Sequence, residues 1–264
     1  AGLKTLLNDA LGRLLGSGTG KNAVIRLETA FGGGKTHNLI ALYHAASGKT
    51  PQKYLSNLLD PSLRFPVPGD IKIVGVVGSD LDPSVGMVHS DGVKTLTLWG
   101  ELAYQLGGRE GCDLVRESEQ TKAAVGTGLF ETLIGNQPTL VMLDEIARHL
   151  RSAMAVPTKT GKSNLADQTV AFLMSLLEFA SSKENCLVVL TLASEADAFN
   201  RETAMLRQSL AETLQITARQ ERVLTPTVEN EISAIVTHRL FKRVDRQAAQ
   251  AVFKAYAQYY ANLY

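Results

Sequence analysis

Thr29-Ala30-Phe31-Gly32-Gly33-Gly34-Lys35-Thr36 sets a run of small residues before a lysine and a hydroxyl. Small residues let several backbone N–H groups turn inward around a polyphosphate. A helix beginning where such a loop ends points its partial positive charge at the anion. The lysine then reaches the outer phosphates and the neighbouring hydroxyl ligates Mg²⁺. Lys35 and Thr36 take those two places, and Ala30, Phe31, Gly32, Gly33, Gly34 and His37 complete the expected nucleotide-binding set. Thr29 stands where the usual Gly-x4-Gly-Lys-Ser/Thr pattern has its first glycine, so the turn is entered differently. The competing reading is a flexible connection followed by an incidental Lys-Thr.

About a hundred residues later, Leu140-Val141-Met142-Leu143-Asp144-Glu145 is an apolar run that ends in two carboxylates. At the carboxyl end of a buried strand, Asp144 could hold Mg²⁺ directly or through water, and Glu145 could polarise a water attacking a γ-phosphate. Acids also favour the first turn of a following helix. That simpler role explains neither the apolar run nor the glycine loop. A polar residue ending the neighbouring strand would complete such a site, Ser194 first and Thr191 second. Arg222 and Arg219, beside the last predicted strand, are the candidates to neutralise charge building on the γ-phosphate, from the same chain or a neighbour. No Asn-Lys-x-Asp guanine-reading motif occurs, which tilts the base to adenine. The expected ligands are therefore ATP and Mg²⁺.

These residues need elements to carry them. Short β-branched runs alternate with helical stretches, which predicts an α/β fold with a parallel sheet sandwiched by helices. Strands are expected at 23–27, 71–77, 139–143, 187–192 and 221–224. Helices are expected at 3–15, 36–46, 95–106, 145–153 and 168–180, with a prolinerich linker at Pro61, Pro66 and Pro68. The polar stretch 157–167 reads as a mobile surface loop. Its Gly161-Lys162-Ser163 follows no apolar strand, and Lys159 and Lys162 read as solvated. After Pro226, helices at 228–241 and 246–260 read as the start of a small helical lid. The division is a core at 1–225 and a lid segment at 226–264.

Composition narrows the classes. Charges of 27 Lys+Arg against 26 Asp+Glu leave +1, which argues against a chain that coats polyanions. A hydrophobic fraction of 45% excludes wholesale disorder. Cys112 and Cys186 make no disulfide framework and read as reduced, cytoplasmic thiols. No stretch approaches a membrane span, and no signal peptide is evident at the amino end. His37, His44 and His149 lack a zinc-binding frame. Trp99 lies on an apolar helical face and reads as core.

The run from Glu28 to His37, continuing through Ala41-Leu42-Tyr43-His44, resembles a family of large prokaryotic ATP-binding proteins. So do Leu98-Trp99-Gly100-Glu101-Leu102-Ala103 and Leu143-Asp144-Glu145-Ile146-Ala147-Arg148. The resemblance covers nearly the whole chain, and a threonine at the Thr29 position is usual in that family. It implies an AAA+-like P-loop NTPase, encoded beside adenine-specific DNA methyltransferases in phage-defence islands. It further implies a piece of a longer protein whose contacts with a methyltransferase, other defence proteins or DNA lie outside this chain, with homo-oligomers as a further expectation.

Overall fold

The computed structural model describes residues 2–16, 22–29, 34–193, 202, 204–208, 221–225, 242 and 245–261. In chain order its strands are β1 (Val24–Thr29), β2 (Lys72–Val77), β3 (Met87–Val88), β4 (Lys94–Thr95), β5 (Thr139–Asp144), β6 (Cys186–Ala193) and β7 (Glu221–Leu224). Its helices are α1 (Gly2–Leu14), α2 (Lys35–Ala46), α3 (Gln52–Leu55), α4 (Leu98–Leu114), α5 (Arg116–Thr121), α6 (Gly128–Ile134), α7 (Ile146–Ala153), α8 (Leu165–Ser182) and α9 (Arg246–Ala261). Five strands form one sheet in the order β2-β5-β6-β1-β7, with every pairing parallel. β3 and β4 form a separate antiparallel hairpin.

Strand periodicity divides the apolar residues between two cores. Val74, Val76, Val141, Leu143, Val188 and Leu190 face a layer that includes Leu102, Phe130, Leu150 and Phe172 of α4, α6, α7 and α8. Ile25, Leu27, Leu140, Met142, Leu187 and Val189 face Leu6, Leu11, Leu39 and Leu42 of α1 and α2. β5 is buried at all six positions, as a central parallel strand covered on both faces must be.

The strand order also decides which way each connection runs. Right-handed crossovers put a connection to the left on one face and a connection to the right on the other. From β1 the chain passes through α2 to the far edge at β2, whereas β2 to β5, β5 to β6 and β6 to β7 all run back the other way. Adjacent strands β1 and β6 therefore send their chains to opposite faces. The crevice at their carboxyl ends is the switch point at which open parallel sheets bind ligands.

Several boundaries differ from the sequence expectation for local reasons. α4 begins at Leu98, not 95, because Thr97 Oγ1 caps it by accepting Gly100 N–H at 3.0 Å, and Thr95 belongs to β4. It then continues past Leu106 to Leu114 with a kink at Gly108. Gly111 permits that bend, since a Cβ there would sit 2.1 Å from Ala103 O. α8 starts at Leu165 under an Asn164 cap, and the preceding stretch is not a loose loop. Pro157 bridges to Asn164, and Lys159 N–H donates to Thr121 O at 3.0 Å. The β3–β4 hairpin, α5 and α6 are too short to show a period and were not expected.

Trp99 is fully buried against Phe172, as expected of a core residue. Arg13 of α1 is buried and clasps the α8–β6 junction, donating to Cys186 O at 2.6 Å, Ala180 O at 3.0 Å and Lys183 O at 2.5 Å. Burial pushes the Cys186 thiol up to about 12 and the Cys112 thiol up to about 11, so both stay protonated and unreactive at neutral pH. Among the described residues no helix is long and apolar enough to cross a membrane.

The chain divides into two compact units, 1–226 and 227–264. In the second, Asp245 accepts N–H bonds from Gln247 and Ala248 at 2.9 and 3.1 Å and so starts α9, which presents Val252, Phe253, Tyr256 and Tyr259 to solvent. α9 matches the expected 246–260. The expected helix at 228–241 lies outside the described residues.

Candidate functional site

The first component is the amino end of α2. Gly34 precedes it with φ 79°, a backbone region that residues with a Cβ avoid, so glycine is needed there. Asn38 donates to Gly34 O twice, through its backbone N–H at 3.0 Å and its Nδ2 at 2.9 Å. This fixes how the chain enters the helix. No side chain caps this end among the described residues, which leaves its positive dipole available to an anion. Lys35 and Thr36 open the helix, and His37 is exposed on the same turn. Ala30, Phe31, Gly32 and Gly33 lie outside the described residues.

The second component is the carboxyl end of β5. Asp144 is 5% exposed and accepts two hydroxyl bonds, from Thr36 Oγ1 to Oδ2 at 2.7 Å and from Thr191 Oγ1 to Oδ1 at 2.6 Å. Strand parity explains the meeting. Asp144 follows Leu140 and Met142, and Thr191 follows Leu187 and Val189, so both point to the face that α2 covers. The β5–β6 register pairs Leu143 with Leu190 and so sets the two side chains abreast. Thr36 and Asp144 are 108 residues apart in the chain.

Glu145 follows at the start of α7 with φ 53° and ψ 31°. For a residue with a Cβ this left-handed conformation is unfavourable, and such strain concentrates at functional sites. Its side chain makes no capping bond, so helix capping does not account for the acid. The carboxylate is about half exposed and lies 3.6 Å from Arg148 Nη1. Two contacts hold its backbone: Glu145 N–H donates to Thr191 Oγ1 at 3.2 Å, and Gly78 packs so closely that a Cβ would come within 2.5 Å of Glu145 O. Gly78 N–H also donates to Asp144 O at 2.7 Å.

Thr36, Asp144, Glu145 and Thr191 thus come together at the crevice, and Lys35 adjoins Thr36. Ser194 and Arg219 lie outside the described residues. Arg222 is placed elsewhere: it pairs in register with Ile25 and forms an ion pair with Asp9 at 2.5 Å. Ile25 is four residues, about 13 Å of strand, before the carboxyl end of β1. Within one chain Arg222 therefore does not reach the site.

Two ion-pair groups near this end of the sheet were missed in the sequence. Glu28 of β1 lies 3.4 Å from both Arg26 and Arg207, and Arg151 of α7 holds the buried Glu202 at 3.0 and 2.8 Å. Arg26–Glu28 lies within β1, whereas Arg207–Glu28 and Arg151–Glu202 join β1 and α7 to the helical segment at 204–208 and its neighbour, pairings too distant in sequence for any local pattern to show. Beside Asp144 a groove of about 340 Å³ opens between α2 and β2, lined by Thr36, Ile40, Tyr43 and Val77.

The donor set limits what a cation could find. Among the described residues no group of three or more His, Cys, Asp or Glu could hold a metal ion. Thr36 Oγ1 and the Asp144 carboxylate suit a hard cation, which would take its remaining oxygens from phosphate and water. His149 belongs to the framework: it is buried, and its Nδ1–H donates to Leu81 O at 3.0 Å. Burial lowers its pKa, partly offset by that bond.

No curated protein matches the chain. A family model described as the DUF499 N-terminal domain matches residues 2–225, a span that runs from α1 to the end of β7 and takes in every residue of the crevice. The chain belongs to the DUF499 N-terminal domain family.

Proposed function

We propose that this chain is an AAA+-like P-loop module that binds and hydrolyses ATP. The observation that carries the reading is the 2.7 Å bond from Thr36 Oγ1 to Asp144 Oδ2, which joins the lysine–threonine helix start to the acidic strand end. The switch-point crevice and the uncapped α2 dipole support it further.

In this reading the triple-glycine loop and Lys35 bind the phosphates. Thr36 and Asp144 would hold Mg²⁺, which would supply neutralisation of the phosphate charge. Glu145 accepts a proton from the water whose oxygen attacks the γ-phosphorus; the β–γ bond breaks, leaving ADP and phosphate. Nucleotide turnover would drive a conformational change in a DNA-modification or phage-defence complex, with methyltransferase, other defence proteins or DNA bound through regions outside this chain. The second unit would act as part of a lid. A homo-oligomer could supply the arginine that Arg222 does not provide in cis.

The 3.6 Å pairing of Glu145 with Arg148 favours a second reading, a nucleotide-gated scaffold that binds ATP and barely hydrolyses it. A third, a DNA translocase, predicts DNA-stimulated turnover. Steady-state phosphate release with and without DNA, alongside calorimetry with Mg·ATP, separates the three. Absence of any binding heat would end all of them.

A further inference from the structure

Thr191 does two things at once in the centre of the sheet. Its Oγ1 accepts Glu145 N–H at 3.2 Å and donates to Asp144 Oδ1 at 2.6 Å. A hydroxyl has one proton to give, and here it goes to Asp144. The residue is buried, on a strand flanked by β5 and β1, so the sheet fixes its direction. A charge-assisted bond of this kind orients the carboxylate as well as stabilising it.

Cations differ in what they require of a carboxylate. Mg²⁺ demands near-octahedral geometry at short distance and keeps several waters. Ca²⁺ takes six to eight oxygens at longer distance and readily uses both oxygens of one carboxylate. Resting on the nucleotide-binding reading above, we propose that Thr191 is a positioning residue that sets cation preference. Both carboxylate oxygens accept a hydroxyl and keep a second lone pair, so the bond from Thr191 does not close Oδ1; it fixes the plane of the carboxylate and presents Oδ2, the oxygen beside Thr36 Oγ1, end-on to a cation. A carboxylate held in this plane suits one-oxygen donation to the magnesium complex of the nucleotide and opposes the rotation that would bring both oxygens to calcium. Thr191 itself touches neither cation nor phosphate.

The test is calorimetric binding of a non-hydrolysable ATP analogue, with Mg²⁺ or with Ca²⁺, to the wild type, Thr191→Val and Thr191→Ser. The wild type should bind the magnesium complex more tightly. Thr191→Val should shrink the Mg²⁺/Ca²⁺ affinity ratio roughly tenfold, on the scale of one hydrogen bond to a charged group, and Thr191→Ser should restore it. A purely structural role would weaken both complexes alike and keep the ratio, which would overturn the proposal. Equal wild-type affinity for the two complexes would overturn it too, even if Thr191→Val failed to fold. Binding without discrimination leaves the nucleotide site standing and removes only the role of Thr191. No binding with either cation takes down both readings.

Discussion

Thr36 Oγ1 and Asp144 Oδ2 lie 2.7 Å apart, and that bond ties the first turn of α2 to the end of β5. Each half of the crevice should therefore depend on the other. Lys35→Ala should abolish tight Mg·ATP binding, because the proposed phosphate site would lose its cation. Asp144→Asn keeps the shape but not the charge, and should weaken magnesium-dependent binding by roughly 10- to 100-fold. Calorimetry with and without Mg²⁺ checks both, and undiminished binding by Lys35→Ala would remove the phosphate role.

Glu145 combines a left-handed backbone with the base role proposed for it, so two substitutions should part company. Glu145→Gln should retain nucleotide binding and slow turnover by roughly 10²- to 10⁴-fold, the worth of a positioned base. Glu145→Gly relieves the left-handed conformation and should raise unfolding stability by up to about 1 kcal/mol while also losing turnover. Denaturant melts and phosphate release give the two readouts. A glycine variant less stable than wild type would argue that the observed backbone carries no strain.

Gly78 controls how closely β2 approaches this residue. Gly78→Ala places a Cβ about 2.5 Å from Glu145 O, so the strand ends must separate. A loss of roughly 1–3 kcal/mol is expected, the usual cost of overpacking. Turnover should fall further than nucleotide affinity, since the displaced group is Glu145 and not Lys35. Comparing thermal stability, KM and kcat tests the separation.

His149 should make the fold acid-sensitive. Its folded pKa is lowered by burial, so above about 6.5 both folded and unfolded chains carry it neutral and its contribution is complete. As pH falls below that value the unfolded chain takes up the proton before the folded one does, and stability declines. His149→Asn can still donate to Leu81 O and does not titrate. Urea melts between pH 7.5 and 5.0 should show a shallower acid loss in the variant, and identical slopes would exclude His149 as the cause.

Much of this arrangement was legible in the residues. The glycine run before Lys35 and the apolar strand ending at Asp144 are local patterns, and the parallel sheet follows from alternating strand and helix signals. Thr191 was harder because apolar runs hide their parity. Counting by twos from Leu187 would have set its side chain on the same face as Asp144. The sequence marks Arg222, a candidate, as near a strand but not near which end; the pairing with Ile25 decides that. The kinked extension of α4 and the tethered 157–164 turn depend on cap and bridge partners whose roles appear only once the chain is folded.

The unequal use of the sheet's two sides bears on how such a chain can diversify. Between β2 and β5 the chain builds a hairpin and α4 to α6, and α4 and α6 pack on the layer away from α2. The opposite layer is made chiefly by α1 and α2, whose positions are tied to the crevice and to the α8–β6 junction. Insertions among α4 to α6 would therefore leave the Thr36–Asp144 contact alone, whereas α7 of the same layer begins directly after Glu145 and is constrained with it. The second side has little room for such change, because Arg13 and Thr36 pin its two helices.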